Sequence, residues 1–394
     1  MSNKIYCGVS NHLLAENVSN DKLNYFTYVK LLEYFDEVHI YGRTFDNKSF
    51  TKKHCNEKIF IHYVSVPKLY FFRYLFSIFK IFRIILKDHR KYNFSLFDAS
   101  EPTTGGIICS GLIMFIKKPY VLQIQGELTR ISGKNIKFIK SVLTKYITLL
   151  AIRFSGKVRS VSHVVKEQLV NDGVSPYKID VIPARVNLSL FDYKQYPEVN
   201  LRKEFGIDNG KKLFLFVGRL VEGKGVDYLI QALEVVNKNK YHVLIIGDGE
   251  YMDTLIRLTE KLKLTQNITY LGKVEFIKIP YYMVGVDYLI LPTLNEGFGR
   301  VILESMAMKT PVIASNVGGI QDILVDSKTG FFIKTGDINN IRSVIEFVLN
   351  LSENEYSKIV EKSYETVVEK YEFNYSMNLF LEFYDKAINE YENS

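Results

Sequence analysis

The stretch "NEGFGRVILESMAMKTPVIASNVGG", residues 295–319, decides the reading of this chain. It opens on Glu296, passes a Gly-Phe-Gly turn, carries a second acid at Glu304 and runs apolar to Thr310-Pro311. "PVIAS" then leads to Gly318-Gly319, so the order is loop, short helix, buried strand, loop. Gly297 and Gly299 let backbone amides approach a ligand at a helix start, where the helix dipole favours negative charge. Two carboxylates around such a turn suit a ligand with hydroxyls and phosphates.

Working outward, the same alternation fills residues 213–350. "KLFLFVGRL", "YHVLIIGDGE", "ITYLGKV" and "DYLILPT" read as strands, and "GVDYLIQALEVVNK" and "MDTLIRLTEKLKL" as helices between them. Short apolar runs alternating with amphipathic helices imply a parallel sheet with crossover helices. Open parallel sheets bind ligands at the carboxyl ends of their strands, where all the glycine-rich turns of this half fall.

The front half repeats the pattern with "KIYCGV", "EVHIYG", "KIFIHYVSV" and "KPYVLQIQGE" as strands. "GKVRSVSHVVKEQLVNDGV" reads as a strand, a Ser-capped helix and a Gly stop. At 394 residues the chain is too long for one core, so two domains are expected. The polar segment 194–212, "KQYPEVNLRKEFGIDNGKK", reads as the linker. The domains are then 1–192, 193–370, and a C-terminal helix at 371–394 that packs back on the first.

Charge separates the halves. Residues 1–192 hold 28 Lys+Arg and 15 Asp+Glu, a net +13, which leaves 23 bases against 28 acids, a net −5, for the remainder. A basic front half suggests an anionic surface as its partner. In "KLYFFRYLFSIFKIFRIILKDHRKY", residues 68–92, the bases Arg73, Lys80, Arg83, Lys87, Arg90 and Lys91 fall within an arc of roughly 100° at about 100° per residue. Charges interrupt every apolar run well short of the ~20 residues of a membrane span. The plain reading is a core-facing helix with a solvated basic stripe, and the sharper one is a helix lying on anionic lipid. Together with 134–154, "KNIKFIKSVLTKYITLLAIRF", both can hold, one edge packed and the other on lipid. Cys7, Cys55 and Cys109 are far apart, odd in number and without metal spacing, which points to a reducing compartment. No signal peptide is visible, and the expectation is a cytoplasmic protein, peripheral on a membrane.

The first strand of the back half ends in "VGRLVEGKGVDYLI". Gly218, four residues, then Gly223-Lys224 nearly make a P-loop, but Gly225 stands where the Ser or Thr that holds magnesium belongs. What remains is a phosphate-facing loop with two cations, Arg219 and Lys224, before a helix N-terminus. Gly247-Asp248-Gly249 alone reads equally as a tight turn, and Glu296 and Glu304 alone are commonplace acids.

In order, however, "GRLVEGKG", "GDGE", "LPTLNEGFG", "EGFGRVILE" and "TPVIASNVGGIQDIL" resemble the retaining glycosyltransferases of family 4. The likeness spans 205–350 and reaches back to about 155 through "SVSHVVKEQL" and "VIPARVNLSLF". It implies an α/β fold of the GT-B class: two Rossmann-like parallel-sheet domains facing across a cleft. The second domain would bind a nucleotide-diphosphate sugar and the first an acceptor. By motif, Arg219 and Lys224 would hold the diphosphate, Glu304 the ribose hydroxyls, and Glu296 the donor sugar. Gly218, Gly247, Gly249 and Gly297 would line the donor, with the amides of Phe298, Gly299 and Arg300 around sugar and phosphate. Transfer would retain anomeric configuration, the leaving phosphate taking the acceptor's proton.

No Asp-x-Asp occurs in the chain, so the two cations would stand in for a metal, and neither metal nor cofactor is expected. Three positions depart from the pattern. Gln125-Gly126-Glu127 stand where a His or Arg-Asp pair is common, Arg185 where a Gly is usual, and Arg300 where an aliphatic is usual. The first three and Arg185 are candidates for the cleft. The partners expected are a nucleotide sugar, a glycan or glycolipid acceptor and an anionic membrane surface, with no nucleic-acid motif in the basic half. The alternatives are a nucleotide-sugar epimerase of the same fold and a non-catalytic nucleotide-sugar or glycan-binding protein.

Overall fold

A computed structural model describes residues 3–13, 22–46, 48–55, 57–67, 70–126 and 135–393. Glu127 and Lys68 lie outside them, and the side chain of Arg73 is not described. The chain forms two units, Met1–Ile182 with Met377–Ser394, and Pro183–Ser376.

The first unit runs β1 (Ile5–Leu13), α1 (Lys22–Leu31), β2 (Glu37–Thr44), β3 (Phe50–His54), β4 (Ile59–Ser65), α2 (Tyr70–Tyr92), β5 (Leu96–Ala99) and α3 (Thr104–Ile113). It continues with β6 (Tyr120–Ile124), α4 (Asn135–Phe154), β7 (Lys157–Ser160), α5 (His163–Asn171) and β8 (Ile179–Val181). The sheet order is β3-β4-β2-β1-β5-β6-β7-β8. All pairings are parallel except β3 with β4, a departure from the all-parallel expectation. "FTKKH" carries too much charge for a strand covered on both faces, and Lys52 and Lys53 suit an edge that must not pair further. α5 starts as its sequence requires, Ser162 Oγ accepting from Val165 N at 3.1 Å.

The second unit contains α6 (Leu201–Glu204), β9 (Lys212–Val217), α7 (Val226–Leu233), β10 (Tyr241–Ile246), α8 (Met252–Lys261), β11 (Ile268–Gly272), α9 (Ile279–Val284) and β12 (Tyr288–Leu291). Then come α10 (Arg300–Ala307), β13 (Val312–Ser315), α11 (Ile320–Ile323), β14 (Phe331–Ile333), α12 (Ile338–Val348), α13 (Glu353–Lys370) and α14 (Phe373–Glu392). Its sheet is parallel throughout, in the order β11-β10-β9-β12-β13-β14. That is the doubly wound 3-2-1-4-5-6 arrangement, whose strand order reverses between β9 and β12. β10, β12 and β13 are buried along their whole length, as a sheet covered on both faces demands. On α7 the buried positions Val226, Leu229, Ile230 and Leu233 make one helical stripe.

The segment read as a linker is instead part of the second unit. Leu201 is fully buried, and Arg202 pairs with Asp287 beside β12. The division falls at Ile182, after the last strand of the first sheet, rather than at 192. Val186 already bonds to Tyr371 O through its amide at 3.0 Å. From Met377 onward α14 belongs to the first unit. There Tyr384 OH donates to Asp98 Oδ2 at 2.7 Å, and Tyr6 OH and Gln123 Nε2 reach the same oxygen at 2.6 and 2.7 Å. Burial pushes the Asp98 carboxyl up, and these donors hold it down in part.

Candidate functional site

The reversal of strand order in the second unit brings four loops together. The first, Gly218–Gly225, leaves β9 through a short 3-10 turn at Glu222–Lys224 and enters α7 with Gly225 at φ 65°. A Cβ on Gly225 would stand 2.1 Å from Pro292 O, at the end of the neighbouring β12. A P-loop Ser or Thr is therefore sterically forbidden here. The loop is fitted to the next strand instead: Leu294 N donates to Gly223 O at 3.0 Å. Thr293, fully buried, holds its hydroxyl within 3.1 Å of Gly223 O and 2.8 Å of Asn295 O.

The second loop, Gly247-Asp248-Gly249, lies against the first. A Cβ on Gly247 would meet Gly218 O at 1.8 Å. Leu220 N donates to Asp248 O at 2.8 Å, and Tyr251 N to Leu220 O at 3.0 Å. The motif is thus a packing device that fixes the first loop. The fourth loop, Asn316–Gly319, supports the third in the same way, since a Cβ on Gly319 would come within 2.5 Å of Gly297 O.

The third loop carries the polar groups. Glu296 Oε2 accepts from Lys224 Nζ at 2.5 Å, both side chains about one-fifth exposed. Arg219 is exposed, and its side chain makes no hydrogen bond or ion pair among the described residues. Phe298 turns its ring into the core, 4% exposed and 6.0 Å from the Tyr371 ring, so only its backbone is available to a ligand. The amides of Phe298, Gly299 and Arg300 make no hydrogen bond among the described residues, as expected for the first turn of α10. Glu304, one turn into α10, is buried, and that burial pushes its carboxyl up. Arg300, whose guanidinium lies 4.0 Å away and half in solvent, offsets only part of that.

Gly218, Arg219, Lys224, Gly247, Gly249, Glu296, Gly297, Phe298, Gly299, Arg300 and Glu304 therefore gather at one end of one sheet. The remaining candidates are elsewhere. Gln125 and Gly126 end β6 in the first unit, Gln125 Nε2 donating to Ser100 O at 3.0 Å. Arg185 lies in the second unit with its guanidinium 5.4 Å from the Phe373 ring centre. Thr293 and Gly225, which join the first and third loops, were not among the candidate site residues. The signal was a threonine and a glycine at the ends of two strands that only the topology makes adjacent.

The sequence pattern of the glycosyl transferases group 1 matches residues 198–366, the region that builds these loops. Those residues belong to the group 1 glycosyl transferases. The chain is also similar to the glycosyltransferase MJ1607 of Methanocaldococcus jannaschii, 30% identical over 211 residues, 53% of this chain and 51% of that one. This chain thus spans about half the length of that relative. A second protein of the same organism, the glycosyltransferase MJ1178, is 29% identical over 301 residues, 75% of this chain and 77% of its own. Among solved structures, Anabaena HepE in complex with UDP and glucose superposes with a TM-score of 0.75 at 17% identity, covering 98% of this chain and 100% of that one. The fold is GT-B, with two α/β units built on parallel sheets.

Proposed function

We propose that this chain is a retaining, metal-independent glycosyltransferase that moves a sugar from a nucleotide-diphosphate sugar to a glycan or lipid-linked glycan. One observation carries the reading. The strand-order reversal of a group 1 domain gathers Arg219, the Lys224–Glu296 pair, buried Glu304 and the amides at the start of α10. HepE, solved with UDP and glucose, has the same fold and supports a nucleotide-sugar donor.

The chemistry follows from charge. Breaking the anomeric bond leaves a diphosphate, and preorganised donors near developing charge are worth most where they need not reorganise. Arg219 approaches from solvent without a protein partner to give up. Lys224 is held in place by Glu296, and the diphosphate takes over that carboxylate's share of the ammonium. The α10 amides and dipole add to the same field. Glu304, acceptor-only when ionised, takes the ribose hydroxyls. The leaving phosphate accepts the acceptor's proton, so no protein base is required. The acceptor meets the first unit, which we set against an anionic membrane surface on the protein's cytoplasmic side.

The test is a thermal-shift screen of nucleotide-diphosphate sugars, then transfer to an added acceptor followed by NMR of the new anomeric centre, with and without EDTA. A donor-specific shift with transfer, retention and indifference to EDTA supports the reading. An isomerised donor without transfer favours an epimerase, and binding without turnover a non-catalytic module.

A further inference from the structure

The outer face of α2, α3 and α4 in the first unit is unusual in two respects that point the same way. It is apolar: Leu75, Phe79, Met114, Phe115, Tyr146 and Leu150 are each between 56% and 73% exposed. On α4, Leu143, Tyr146, Leu150 and Phe154 follow one another at helical spacing, so the exposed groups form a stripe rather than scattered points. The helices adjoin closely. A Cβ on Gly111 of α3 would stand 3.2 Å from Phe82 of α2, Phe82 and Phe115 meet edge to face at 6.0 Å, and a Cβ on Gly106 would stand 3.0 Å from Ala151 of α4. Single exposed apolar residues are ordinary, but a continuous patch marks a docking surface.

The same face is basic. Segments 70–92, 104–118 and 135–154 contain twelve Lys and Arg and one acid. That acid, Asp88, is spoken for by Tyr41, whose hydroxyl donates to it at 2.8 Å. On α2 the inner positions Ser77, Ile81 and Ile85 are fully buried, while bases and Phe share the outer side. Phe76, Phe79, Lys80, Arg83, Lys87 and Arg90 line an open groove of about 610 Å³. The Arg83 guanidinium lies 5.4 Å from the Phe79 ring centre, so charge and ring are presented together.

We infer that this three-helix face docks on anionic phospholipid, its rings and aliphatic side chains entering the interface while its bases meet the phosphates. The inference deepens the membrane part of the proposed function and rests on it. A second copy of the chain is a poor occupant, because an isologous contact would set exposed bases such as Arg83, Lys87 and Arg90 against their own copies. Nucleic acid is a poor one too, since it would leave the exposed aliphatic side chains Leu75, Met114 and Leu150 without an apolar partner. Lipid matches both properties: aromatic side chains favour the headgroup level and long basic side chains reach outward to phosphate. Among the described residues no helix is long and apolar enough to cross a membrane, so the contact is a surface one.

The test is sedimentation of the full chain with phosphatidylcholine vesicles containing phosphatidylglycerol and with pure phosphatidylcholine vesicles. Two variants accompany it, Phe79→Ser/Phe115→Ser/Leu150→Ser and Arg83→Gln/Lys87→Gln/Arg90→Gln. The wild type should bind the anionic vesicles at low salt and the neutral ones far less. The apolar variant should bind at least tenfold more weakly. The charge variant, which alters exposed side chains only and keeps the fold testable, should lose about 10²-fold. Thermal melting and donor hydrolysis are read on the same samples and should match the wild type. Absence of wild-type binding, wild-type-like binding by both variants, or a dimer that the apolar variant dissociates overturns the inference. Donor hydrolysis in the wild type stands or falls separately, so failure of the docking face is distinguishable from failure of the transferase reading.

Discussion

Glu304 shows what the proposed ribose-binding position asks of a fold. Its carboxylate is buried, and burial raises its pKa, so the ionised form destabilises the empty protein. The sign is definite. A carboxyl with a raised folded pKa gives its full stability below its ordinary value of 4.5 and loses stability as pH rises through the folded value. Glu304→Gln should therefore raise the melting temperature at pH 7–8, make little difference near pH 4, and weaken donor binding. A melting temperature unchanged at pH 7–8 would remove that account. Gly225 makes the complementary point. Its left-handed backbone and the 2.1 Å approach to Pro292 O admit no side chain. Gly225→Ser, which completes the P-loop pattern, should cost at least about 2 kcal/mol in denaturant unfolding and create no ATPase. The glycines read as ligand loops, and what the structure shows them doing is letting one loop lie on another. Sequence spacing could not show that, because the partners are 22 to 67 residues apart, as Gly319 is from Gly297 and Gly225 from Pro292.

At the scale of elements, reading was easiest where a segment was apolar and regular. β10, β12 and β13 stood out because parallel strands are buried on both faces. β3 and β5 were missed, the first for its charge and the second because "LFDA" is four residues long with an acid in it. That acid, Asp98, holds Tyr384 of α14 to the first sheet. Removing residues 377–394 would take the Tyr384 ring from Tyr6 and Phe35 and its hydrogen bond from buried Asp98, and should leave the first unit melting well below the second by calorimetry. The edge of the first sheet carries a second polar cluster. His39 Nδ1 lies 3.0 Å from His62 Nε2, which stacks on Tyr41, and burial pushes both imidazoles down to about 3. His242 on β10, buried likewise, falls to about 4. Groups with depressed folded values contribute stability that is present above the ordinary histidine value of 6.5 and lost as pH falls toward the folded values. The melting temperature should fall steadily from pH 6.5 to 4, and His62→Gln should flatten part of that slope by removing one titrating partner.

At the scale of the whole molecule, the βα alternation was enough to infer two α/β units, and motif order was enough to pick out the loops that the second sheet brings together. The unit boundary was not legible, because a polar segment such as 194–212 can be a linker or a packed surface, and only Leu201 and Arg202 distinguish them. The uneven charge was legible as a number, +13 against −5. Its concentration on three adjoining helices required the fold.

The central claim is that the strand-order reversal of the second unit holds a leaving diphosphate on Arg219 and Lys224. The most direct test is steady-state turnover of the donor chosen by the screen, for wild type, Arg219→Ala and Lys224→Ala, with thermal melts confirming that each variant is folded. The account predicts kcat lowered by about 10²–10³ in each. A folded variant with undiminished turnover would contradict it.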